Sequence, residues 1–68
     1  MTQEQILWTF QTAAKYGGGF MQRLAAAGIA ADADNKAKIL QTWPEIVSTY
    51  GPSSALYETP GSFLTLVK

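Results

Sequence analysis

One apolar stripe runs through residues 36–50 and passes straight across a proline. On a helix of about 3.6 residues per turn, Ile39, Leu40, Trp43, Ile46, Val47 and Tyr50 share about a third of the circumference. Lys38, Gln41, Glu45, Ser48 and Thr49 fall opposite. Pro44 removes a backbone donor and clashes with the preceding turn, yet the phase agrees on both sides of it. The pattern predicts two short helices, or one kinked helix, packed on a single surface. Asp32 and Asp34 supply carboxylates for the free N–H groups at its start, where the helix dipole favours them. Gly51-Pro52 marks its end.

Two further helices precede it. Thr2 and Gln5 have the spacing of a capping box, which predicts a helix over Gln3–Tyr16. Ile6, Leu7, Phe10, Ala13 and Ala14 form its apolar face. Trp8 lies about 200° from Ile6, beside Thr12 and Lys15, so a second element or another chain must cover it. Gly17-Gly18-Gly19 is expected to end this helix through the left-handed conformation open to glycine. A shorter helix over residues 20–27 follows, with Phe20, Met21, Leu24 and Ala27 inward and Gly28 closing it.

The tail, residues 53–68, differs in kind and is set apart from a helical domain of residues 1–52. Pro60-Gly61 suits the centre of a type II turn. Residues 62–68, with Phe63, Leu64, Leu66 and Val67, are expected to be extended. Such a segment pairs with its equivalent in another subunit or lies across the helices. The fold class is therefore all-α: a small bundle of three to four short helices with an extended C-terminal segment, expected to be oligomeric.

Composition sharpens the last point. Sixty-eight residues make one domain, and a chain of that size buries only about 60% of its unfolded surface. There is no cysteine to staple it and no histidine for metal or general-base chemistry. Charged residues make up 15% of the chain and hydrophobic ones 47%, against a usual charged share of about 25%. So little charge on a small protein predicts a homo-oligomer. The net charge is zero, and Lys15, Arg23, Lys36, Lys38 and Lys68 are dispersed, so nucleic acid is not an expected partner. No apolar run approaches the roughly 18 residues of a membrane span. The N-terminal residues lack the basic region of a signal peptide, and a cytoplasmic location is expected.

Candidate chemistry is sparse. A glycine turn leading into a helix N-terminus can cradle an anion. With Lys15 before it and Arg23 one turn beyond, Gly17, Gly18 and Gly19 could hold a phosphate. The same triplet serves equally as a tight helix connection, and it has neither Walker A nor GxGxxG spacing. Asp32-Ala33-Asp34-Asn35 departs from a calcium loop at Lys36 and Ala37, leaving capping as its role. A helix-turn-helix with Gly28 at the turn puts Leu24 and Asp34 at unsuitable positions. No acid pair or nucleophile elbow is present, so neither an enzyme nor a bound cofactor or metal is expected. Among the aromatics, Trp8 and Tyr57 are the least committed to a core, and such residues often anchor protein contacts.

The strings Ala13-Ala14-Lys15-Tyr16-Gly17-Gly18-Gly19-Phe20, Arg23-Leu24-Ala25 and Trp43-Pro44-Glu45-Ile46-Val47 resemble short uncharacterised proteins of phages and prophages of Gram-negative bacteria. These share a KYGGxF turn and a W/F-P-E motif, and the resemblance covers about residues 5–51. It implies a phage-accessory setting, in which very small proteins inhibit or regulate host systems, anti-defence proteins among them. No binding residues come with it. The leading expectation is a non-enzymatic protein-interaction module using Trp8, Tyr57, Phe63, Leu64 and Leu66. The alternative is an oligomeric binder that sequesters a phosphorylated signalling nucleotide through Lys15, Gly17, Gly18, Gly19 and Arg23. A small DNA-binding regulator stands third.

Overall fold

The computed structural model describes residues 1–58. They form four α-helices in chain order: α1 (Gln3–Tyr16), α2 (Gly19–Ala30), α3 (Ala33–Thr42) and α4 (Glu45–Tyr50). The turn expected at Pro60-Gly61 and the strand expected over residues 62–68 lie outside the described residues, as do Phe63, Leu64 and Leu66.

Helix α1 starts as its sequence dictates. The Thr2 hydroxyl accepts from the Gln5 N–H at 3.0 Å, and the Gln5 side chain accepts from the Thr2 N–H at 2.9 Å. The two residues thus satisfy donors that a helix start leaves unpaired. Asp32 does the same for α3, accepting from the Asn35 N–H at 2.8 Å. Lys36, one turn into α3, reaches back and donates to the carbonyls of Ile29 and Ala31. A cation thereby closes the C-terminal end of α2, where the helix dipole is negative.

Pro44 separates two helices. Trp43 ends α3 at φ −124° and ψ 72°, outside the helical region that a residue before proline disfavours. Pro44 itself already has helical angles, φ −63° and ψ −19°. Its carbonyl accepts from Val47 and Ser48. Proline costs little at a helix start, because no donor is needed there.

Helix α1 is the central element. It packs most extensively on α2 and next on α4, while α3 touches α2 and α4. The fully buried apolar side chains are Phe10, Ala13, Ala25 and Ile46. Ile6, Met21, Leu24, Ile39, Leu40, Trp43 and Tyr50 pack around them, half-buried. The stripe through Pro44 therefore does face one surface.

Three expectations need correction. Helix α2 does not close at Gly28; it continues to Ala30. Gly28 is a buried interior position, and a Cβ there would stand 2.4 Å from Cε1 of Phe10. The inward face of α2 is correspondingly turned, so Ala25 and Gly28 are buried while Phe20 and Ala27 are exposed. Neither Gly17 nor Gly18 is left-handed; both are extended at the end of α1. Gly17 is needed for space, since a Cβ would lie 2.6 Å from both the Ala13 carbonyl oxygen and Met21 Cγ. Finally, α1 buries Thr9 and Thr12 as well as its apolar stripe. Their hydroxyls donate to the carbonyls of Gln5 and Trp8, each at 2.7 Å, so both can be buried without an unpaired donor.

Two glycine substitutions test this packing in opposite directions. Gly28→Ala drives a methyl into the buried Phe10 ring and is expected to cost about 1–3 kcal/mol. Gly19→Ala meets nothing within 4 Å and is expected to add about 0.4–1 kcal/mol by restricting the unfolded chain. Urea midpoints at constant m-value check both.

Candidate functional site

Two surface features stand out: a polar clasp on α1 and an aromatic pair between the start of α2 and the end of α3.

The clasp forms where the chain returns after α4. Gly51 ends that helix, and Ser54 and Tyr57 continue in turns. Glu58 then lands on the outer side of α1. Its N–H donates to the buried Thr12 hydroxyl at 3.1 Å. One carboxylate oxygen accepts from Lys15 Nζ at 2.6 Å and from the Tyr16 hydroxyl at 2.5 Å. The Lys15 ammonium also stands 5.2 Å from the centre of the Tyr16 ring. The hydrogen bond from Lys15, followed by that from Tyr16, holds the Glu58 carboxyl below the usual carboxylate range. The bond to Glu58 in turn raises Lys15. The two side chains are 30% and 54% exposed, so solvent and salt screen the pair.

This clasp bears on the phosphate site expected at the glycine turn. Lys15 is already held by a carboxylate, which places negative charge where an anion would approach. Arg23 is exposed on α2 and makes no hydrogen bond or ion pair among the described residues. Gly17 is buried, while Gly18 and Gly19 are exposed with open space around them. No side chain caps the start of α2. The turn between α2 and α3 falls at Ala31-Asp32, so the helix-turn-helix reading loses Gly28 as its turn residue. Lys36, one of the two cations it offered on α3, closes α2 instead.

Trp8 and Tyr57 are half-buried. The strap of residues 52–58 meets α1 one turn from Trp8, at Thr12. Among the described residues the most exposed large hydrophobic side chain is instead Phe20, at 64%. Its ring meets the half-buried Trp43 edge to face, with centroids 6.1 Å apart. Gly18 and Gly19 precede Phe20 and have no side chains to cover it. Helical periodicity put Phe20 inward; the glycines before it were the signal that it stands bare. Glu58 carried no signal at all, because its partners lie 42 to 46 residues away.

Among the described residues there is no concave pocket and no cluster of acidic side chains with metal-binding spacing. No helix there is long and apolar enough to cross a membrane.

The pH dependence of the clasp follows from its two ionised members. Glu58 is lowered when folded, so its contribution is complete above the ordinary carboxylate value and is lost as pH falls through its own. Lys15 is raised, so its contribution is complete below the ordinary lysine value and is lost as pH rises through its own. The strap is therefore expected to dock best at intermediate pH. Protection of the Glu58 amide, taken relative to its intrinsic exchange at each pH, should fall in acid and in high salt, and in Thr12→Val at every pH. Protection at Glu58 that ignores pH, salt and Thr12→Val would show that the clasp does not hold the strap.

Comparison with protein families, with curated proteins and with solved structures finds no match.

Proposed function

We propose that the protein is a non-enzymatic interaction module that acts by binding another protein through a surface centred on Phe20 and Trp43. The observation that carries this reading is the bare aromatic pair. An exposed phenylalanine stacked edge-on against a half-buried tryptophan offers a large, rigid apolar contact with little entropy left to lose. Such side chains are enriched where protein interfaces concentrate their energy.

The surroundings support it. The chain has few charges to keep a surface hydrated, and the glycines beside Phe20 let another backbone approach closely. The surface differs from the one expected at Trp8 and Tyr57, because both of those are half-buried while Phe20 is exposed. On the resemblance to phage and prophage proteins, such a module would act as an inhibitor or regulator of host machinery. Sequestration of a phosphorylated nucleotide is the weaker reading, since Glu58 occupies the Lys15 ammonium.

Phe20→Ser tests the proposal. Phe20 is mostly outside the core, so circular dichroism should stay unchanged and the stability loss should stay near the roughly 0.5–1.5 kcal/mol of one aromatic pair. Association should fall sharply, whether read as self-association or as co-purification from the bacterial host. Identical association of wild type and Phe20→Ser would sink the reading.

A further inference from the structure

We infer that the Phe20–Trp43 surface is occupied by the chain's own C-terminal segment, residues 62–68, which a protein partner must displace. The inference rests on the reading of that surface as a docking site and adds its regulation.

The topology brings the origin of this segment to the right end of the bundle. Helix α1 ends at Tyr16 and α2 begins at Gly19, so Phe20 stands where α1 finishes. Trp43 brings the end of α3 to the same place, since its ring meets that of Phe20. Glu58, the last described residue, is anchored there too, because its carboxylate accepts from Lys15 and Tyr16. Tyr16 and Phe20 are four residues apart, so their Cα atoms stand at most about 15 Å from one another. From Glu58 the chain runs a further ten residues to Lys68, a reach of about 33 Å. Residues 62–68 can therefore span the aromatic pair with length to spare.

The chemistry of the two surfaces matches. Residues 59–67 carry no charge, and Phe63, Leu64, Leu66 and Val67 are apolar. Laying them on Phe20 and Trp43 removes apolar area from water on both sides. Backbone groups are matched as well. No side chain caps the start of α2, so its first N–H groups can donate to carbonyls of a segment laid over Gly18 and Gly19. Open space surrounds both glycines. The tether then decides between this segment and an occupant from another molecule. A segment held by a short connection acts at an effective concentration of about a millimolar, which any separate protein must overcome.

The test uses the full chain. It has no cysteine, so Lys68→Cys carries a nitroxide at one position and touches none of the helices. In dilute protein, the nuclear magnetic resonance signals of Phe20 and of the Trp43 indole should broaden. Those of Ala31 and Asp32, at the other end of α2, should broaden less. Mixing nitroxide-bearing chains with isotope-labelled chains that lack the nitroxide should broaden neither set. Adding Phe63→Ser and Leu66→Ser to the nitroxide-bearing chain should abolish the effect and leave the helix signals in place.

Equal broadening at both ends of α2, or none, overturns the inference. Broadening in the mixed sample hands the surface to the segment of a second copy and overturns it as well. Broadening that survives Phe63→Ser/Leu66→Ser shows that apolar contact does not hold the segment, with the same consequence. If the segment is not found there while Phe20→Ser still loses a protein partner, the interaction-module reading stands without this regulation. If the segment is found there, and no protein associates even with the Phe63→Ser/Leu66→Ser chain, the surface serves its own chain alone and the interaction-module reading fails.

Discussion

The ring of Phe10 fills the hollow left by the missing side chain of Gly28, and the crossing of α1 over α2 depends on that contact. A Cβ at Gly28 would overlap the ring, so the ring sits directly against the backbone of α2. Ala13 and Ala25, both fully buried, extend the close approach. Small residues there let one large ring reach the centre of a very small core. Ile46 then brings α4 against the same centre, and α3 follows because it is tied to both neighbours.

Polar groups complete what the core is too small to do. Thr9 and Thr12 are buried on the central helix, and each returns its hydroxyl proton to a carbonyl one turn back. The Thr12 oxygen keeps a free lone pair, which receives the Glu58 N–H. One threonine therefore joins the helix to the strap that closes over it. Lys36 performs the corresponding service at the far end of α2. These bonds add little net energy each, but an unmet buried donor or acceptor would cost more than they supply.

The same economy shapes the surface. The cation before the glycine turn is drawn into the clasp, and the turn itself is short and extended. Phe20 is left uncovered, because the two glycines before it have no side chains to shield it. A tight connection between α1 and α2 and a bare aromatic ring are two consequences of one glycine run.

The parts legible in the sequence were those set by neighbours along the chain. The Thr2–Gln5 capping box, the bounds of α1, the Asp32 cap and the stop at Gly51 each depend on atoms within a few residues, so spacing alone locates them. The shared face on both sides of Pro44 was legible for the same reason. The clasp between Thr12, Lys15, Tyr16 and Glu58 joins positions more than 40 residues apart, and nothing local marks it. Gly28 carries the residue type of a helix end, yet becomes an interior notch because Phe10 of another helix occupies its space. The outward turn of Phe20 was likewise hidden, since periodicity shows that a helix has an apolar face but not where its neighbour lies. Sequence by itself determined the capped starts of α1 and α3 and the ends of α1 and α4, whose hydrogen bonds close within a turn. Only the tertiary structure decided which side chains were buried and which cations were occupied, because those outcomes depend on distances between residues far apart in the chain.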